Sequence, residues 1–79
     1  MASLGLIDFV IIVEEKGYFV TEEYETSYGH LDGYVIVFEG EGRLGQYDVG
    51  LIEEIARYEI RGDFQVRLIQ DTIEVTAFN

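Results

Sequence analysis

One stretch of helical periodicity, set among segments that read as strand, limits what this chain can become. Val49, Ile52, Ile55, Ala56 and Ile60 recur at three- and four-residue steps, which stacks them along one side of a helix. Asp48 is expected as the N-cap, and Gly62 falls where a helix-ending glycine belongs. Arg57 and Arg61 lie near the C-terminal end, where the backbone dipole favours cations. A single amphipathic helix cannot bury its own apolar side, so it needs a sheet to lie on.

The flanking segments supply strands. Leu6 to Val13 is dense in β-branched residues and continuous rather than alternating, and reads as a central strand buried on both faces, with a helix as the runner-up. Glu14, Glu15, Lys16 and Gly17 make a tight connection in which Gly17 can take a positive φ. In the next strand, Tyr18 to Ser27, alternation places Tyr18, Val20, Glu22, Tyr24 and Thr26 on one face. Phe19, Thr21, Glu23 and Glu25 fall on the other. Polar residues on both faces point to an edge strand or an exposed ribbon. Tyr28 to Gly33 has turn composition, Tyr34 to Glu39 is a third strand, and Gly40 to Gly45 breaks it. Phe64 to Ile69 and Thr72 to Phe78 alternate apolar and polar residues around Gln70 and Asp71, which reads as a closing hairpin or two short strands. The expected fold is α+β, in the order β-β-β-α-β-β. An antiparallel or mixed sheet of four to five strands carries one helix on one face.

Size makes this one domain over residues 1–79, with one modest core. With no cysteine, neither disulfides nor a thiolate metal site supplement that core. A content of 48% hydrophobic residues, including five phenylalanines and six tyrosines, is enough to fold on. The longest apolar run, Phe9 to Val13, is far short of the roughly 20 residues of a membrane span. Met1 to Ile7 lacks the basic start of a signal peptide. A cytoplasmic protein is the expectation, with no membrane partner.

Charge narrows the partners further. Sixteen acids face five bases, for a formal net charge of -11. Phosphate repulsion then disfavours nucleic acid and anionic membranes as direct ligands and favours a basic protein. The excess is uneven, since Glu14 to Glu41 contains eight acids against Lys16 alone. Gly42 to Asn79 balances seven acids with four arginines.

Catalytic motifs are weak by comparison. Gly40, Gly42 and Gly45 match a G-x-G-x-x-G loop between a strand and a helix, with Asp71 after the next strand. Glu41 and Asp48 would repel the pyrophosphate such a loop exists to hold, and the chain is too short for two βαβ halves. Ser27, His30 and Asp32 share one short turn, where nucleophile, base and orienting acid rarely line up. The only histidine stands alone, the glutamates are scattered, and no calcium-loop pattern occurs. Glu22, Glu23 and Glu25 offer paired carboxylates, but so small a domain is not expected to form a glycosidase cleft. No enzyme activity, cofactor or metal is expected.

The acidic half therefore carries the functional reading. Glu23 and Glu25 stand on one strand face, about 6.8 Å apart by strand rise, a spacing of the same order as phosphates on an extended nucleic-acid strand. Tyr18, Tyr24, Tyr28 and Tyr34 are interleaved with these acids, and tyrosine pairs a large contact area with a hydroxyl that stays hydrated at an interface. The same charge also keeps a small domain soluble. In size, charge and tyrosine-acid mixture across its whole length, the chain resembles the small acidic inhibitors of phages and mobile elements that mimic DNA, including anti-CRISPR and anti-restriction proteins. That resemblance implies a non-catalytic inhibitor occupying the nucleic-acid-binding surface of a CRISPR effector or restriction enzyme. The expected binding region is Glu14, Glu15, Glu22, Glu23, Tyr24, Glu25, Glu39 and Glu41. The alternative is a structural or assembly module that pairs through its sheet edges; the sequence leaves the oligomeric state open between monomer and dimer.

Overall fold

A computed structural model describes residues 5–78. Helix α1 spans Leu6–Glu15, strands β1 and β2 span Phe19–Tyr28 and Leu31–Glu39, helix α2 spans Gln46–Glu59, and strands β3 and β4 span Phe64–Ile69 and Thr72–Phe78. The four strands form one antiparallel sheet in the order β1-β2-β4-β3. Because β4 pairs antiparallel with both neighbours, β2 and β3 run parallel on either side of it and α2 makes the crossover between them. The α+β class is therefore as expected, with two helices rather than one and four strands in the sheet.

The first element differs most from expectation, since Leu6 to Val13 is helical and not a central strand. Its buried residues, Leu6, Phe9 and Val13, follow helical spacing, whereas Ile7 and Ile11 point away from the core. Four strands about 4.8 Å apart make a face wider than a single helix, which is about 10 Å across, so α2 alone would leave part of the sheet wet. Helix α1 covers the remainder, packing against α2 and β1. Phe9 meets Phe38 of β2 edge-on, with ring centroids 5.8 Å apart at 79°. Burial against a waiting sheet overrides the strand preference of the β-branched residues. Gly17 then leaves the helix at φ 105, the positive value expected of it.

A single core lies between the helices and the sheet. Phe9 and Val13 from α1, Ile52 and Ala56 from α2, Ile36 and Phe38 from β2, and Ile73 and Val75 from β4 are all within 1% of full burial. Where α1 begins, a Cβ on Gly5 would stand 2.0 Å from the Glu59 carbonyl oxygen of α2, and Gly5 also holds φ at 78. Only glycine satisfies both constraints. Among the described residues, no helix is long and apolar enough to cross a membrane.

The N-cap of helix α2 lies three residues before the expected one. Gly45 is its N-cap, and Asp48 lies one turn inside, where its Oδ2 accepts the Gly45 N–H at 2.8 Å. That carboxylate satisfies one of the orphan amides of the first turn and complements the positive end of the dipole. Gly62 does adopt positive φ, at 103, two residues beyond the C-cap Ile60.

Candidate functional site

The acidic segment forms an edge of the sheet, as its mixed polarity suggested, but its faces are not those of simple alternation. A bulge between Val20 and Glu22 inserts Thr21 as an extra residue. Beyond it, Glu23 lies opposite Ile36 and Glu25 opposite Tyr34, on the helix-covered side, while Glu22 and Tyr24 lie opposite Val37 and Val35 on the open side. One inserted residue reverses every side chain that follows. Val20 thus shares a side with Glu23 and Glu25, and Phe19 shares one with Glu22, Tyr24 and Tyr28.

The eight expected binding residues are accordingly spread over several surfaces. Glu22 and Tyr24 stand on the open face, with Glu39 across from Phe19 at its end. Glu23 and Glu25 project beside the helices. Glu14 and Glu15 close α1, and Glu41 occupies the loop after β2. All are exposed except Glu39, which is half-buried. They share one sector of the molecule: α1, β1 and β2 contain eight carboxylates and neither lysine nor arginine. Arg67 lies on β3, the opposite edge, within 4.0 Å of Glu74. The sheet is therefore electrically lopsided, with a carboxylate-lined edge at β1.

Tyrosines fix some of these acids. The Tyr34 hydroxyl donates to Glu23 Oε1 at 2.8 Å, and this bond raises the tyrosine pKa. Tyr24 donates to Glu74 Oε2 at 3.5 Å, and its pKa is raised by desolvation and then by the Glu74 charge. Tyr18, buried below α2, donates to Asp48 Oδ1. Burial first, then that hydrogen bond, pushes its pKa up to about 12, while the same bond holds Asp48 below the usual carboxylate range.

Beside Glu23 lies a feature that strand patterning did not reveal. A cleft of about 370 Å³ opens between α1 and the sheet, lined by Leu6, Ile7, Val10, Ile11, Glu23, Tyr34 and Ile36. It requires Leu6 to Val13 to be helical, since only then do Ile7 and Ile11 stand one turn apart on the outer side. The i, i+4 spacing of those isoleucines was the available signal.

The open face of the sheet is lined with its own side chains. Tyr28 and Phe78 meet edge-on at 5.7 Å, and a Cβ on Gly33 would lie 3.3 Å from Thr26 Cγ2 and 3.5 Å from Phe78 Cδ1. The Phe78 ring and the Thr26 methyl thus close over a strand glycine. Val35 and Thr76 are each only 1% exposed on that face, and Thr76 Oγ1 has no hydrogen-bond partner among the described residues.

The weaker motifs have structural uses. Gly45 caps α2, and the amide a phosphate would need there is bonded to Asp48. Arg43 and Asp71 form an exposed pair at 3.4 Å. Ser27 pairs with Asp32 across the β1–β2 hairpin, and His30 sits in its two-residue turn, all three exposed to solvent. Among the described residues, no three His, Cys, Asp or Glu side chains are grouped as a metal would require. Neither family models, curated proteins nor solved structures provide a match to this chain.

Proposed function

We propose that this chain is a non-catalytic acidic binding protein that blocks a basic, nucleic-acid-binding surface of a partner protein, in the manner of a DNA-mimicking anti-CRISPR or anti-restriction inhibitor. The observation that carries this reading is the β1 edge, a ten-residue strand bearing Glu22, Glu23 and Glu25 on both faces. No cation on β1, its neighbour β2 or the overlying α1 neutralises them. Carboxylates held on a rigid strand present negative charge without ordering a flexible chain at binding, which favours association with a basic groove. The tyrosines supply contact area between the charges.

The test is a low-salt pull-down from the host cell with mass spectrometry, followed by competition between the captured partner's nucleic acid and this protein. The expected result is a basic nucleic-acid-binding protein released by nucleic acid and by salt. Simultaneous charge reversal at Glu22, Glu23 and Glu25 should abolish capture. Binding that is insensitive to salt and to these substitutions refutes the reading.

The second reading, assembly through sheet edges, draws on the unpaired outer sides of β1 and β3. Direct pairing of two β1 strands would bring like charges together and is disfavoured, so this reading predicts a β1-to-β3 contact. Sedimentation that shows a monomer at high concentration excludes it.

A further inference from the structure

The groove between α1 and β1 combines exposed apolar side chains, a cleft and a carboxylate, Glu23, that has no ion pair among the described residues. Ile7 is 61% exposed and Ile11 48%, on a helix whose opposite side is fully buried. One turn apart, they form an apolar ridge along the cleft of about 370 Å³. Ile36 contributes apolar lining from β2, and Glu23 lines the cleft from β1. The Tyr34 hydroxyl orients Glu23 at 2.8 Å. That bond takes one acceptor site on Oε1 and leaves the other carboxylate lone pairs for a cationic donor.

Complementarity selects the occupant. An anionic lipid, a fatty acid or a nucleic acid would meet eight carboxylates and no lysine or arginine on α1, β1 and β2. A second copy would bring the same charge, within a chain of net charge -11. The cavity volume lies near the small end of the range for ligand pockets and suits an anchoring side chain.

We infer that the α1–β1 groove is a docking site for a basic, amphipathic segment of a partner protein, which seats a bulky apolar side chain between Ile7, Ile11 and Ile36 and sets a lysine or arginine against Glu23. This rests on the reading of the chain as an acidic binding protein and adds an apolar anchor that a purely electrostatic contact lacks. The anchor confers specificity and slow release, whereas the surrounding acids speed encounter.

The test uses the intact protein and a fluorescein-labelled synthetic peptide of Lys-Leu-Leu-Lys repeats, read by anisotropy at physiological salt. Two control peptides replace every leucine by serine or every lysine by glutamate. Both controls should bind at least about tenfold more weakly than the parent peptide. The Ile7→Ser, Ile11→Ser double variant should weaken parent binding about tenfold, and Glu23→Gln, which retains an acceptor for Tyr34, should weaken it several-fold. Tyr58→Ser, on the outer side of α2 and 81% exposed in the parent residue, should leave binding unchanged. Isoleucine methyl NMR of the unmodified protein should place the largest shifts at Ile7, Ile11 and Ile36, which keeps the test independent of variant folding.

If the serine peptide binds as tightly as the parent, or the largest methyl shift is at Ile69 on the open face, the groove proposal is overturned while the acidic-binder reading stands. Failure of every cationic peptide to bind even at low salt refutes both. A dimer that buries Ile7 and Ile11 identifies a second copy as the occupant and overturns the inference.

Discussion

The Tyr18 hydroxyl and the Asp48 carboxylate join the entrance of β1 to the first turn of α2 across thirty residues of sequence. Asp48 completes the link by accepting the Gly45 amide at 2.8 Å. Tyr18→Phe removes one arm and should destabilise the fold by about 1–2 kcal/mol, whereas Asp48→Ala removes both and should cost more. Urea denaturation measures the difference.

The same pair gives the pH dependence. Asp48 is held below the usual carboxylate range, so its contribution is present above the unfolded-state pKa of about 4 and is lost as pH falls through the lower folded value. Tyr18 is raised to about 12, so its contribution is complete below the unfolded value of 10.0 and is lost as pH rises between the two. Stability profiles of the parent and Tyr18→Phe proteins should therefore converge above pH 10.0. Chemical denaturation across that range tests the convergence.

Two glycine substitutions should act with opposite sign. Gly5→Ala forces a Cβ to within 2.0 Å of the Glu59 carbonyl oxygen at a residue with φ 78, and should destabilise by well over about 1 kcal/mol. Gly50 lies inside α2, and a methyl group added there would meet nothing within 4 Å. Gly50→Ala should stabilise by up to about 1 kcal/mol. Thermal melts of the two variants should move in opposite directions.

Thr76 is 1% exposed, and its hydroxyl has no partner among the described residues. Thr76→Val keeps the shape, removes a buried polar atom without a bond, and suits the strand. A gain of about 1 kcal/mol is expected, measured by denaturant midpoint at unchanged slope.

Helix α1 ends in Glu14 and Glu15 with no basic residue in its last turn, so both charges oppose the dipole. Glu14→Gln, Glu15→Gln should raise stability by about 0.5–2 kcal/mol in total at low salt. On the proposed function it should also weaken partner capture. Stability and binding moving in opposite directions would mark these acids as retained for recognition.

The two C-terminal strands were legible because apolar and polar residues largely alternate on both sides of Gln70 and Asp71, and Phe64–Ile69 and Thr72–Phe78 are the strands observed, paired as a hairpin. Helix α2 was legible from its period, although a side chain one turn inside the helix, Asp48, resembled its cap. Leu6 to Val13 was not, because a short apolar run serves a buried strand or a helix equally well. The Thr21 bulge was likewise hidden, since nothing in a run of threonine and glutamate marks which residue will be left unpaired.

Local pattern and charge were enough to specify an α+β domain with an acidic, tyrosine-bearing N-terminal half, because periodicity and composition are properties of neighbouring residues. Packing decided how that half is used. The width of the sheet required a second helix, which made Leu6 to Val13 helical, and the bulge turned Glu23 toward it. An acid read as part of a strand face thereby became a wall of an apolar groove, through contacts among residues far apart in the chain that no local pattern encodes.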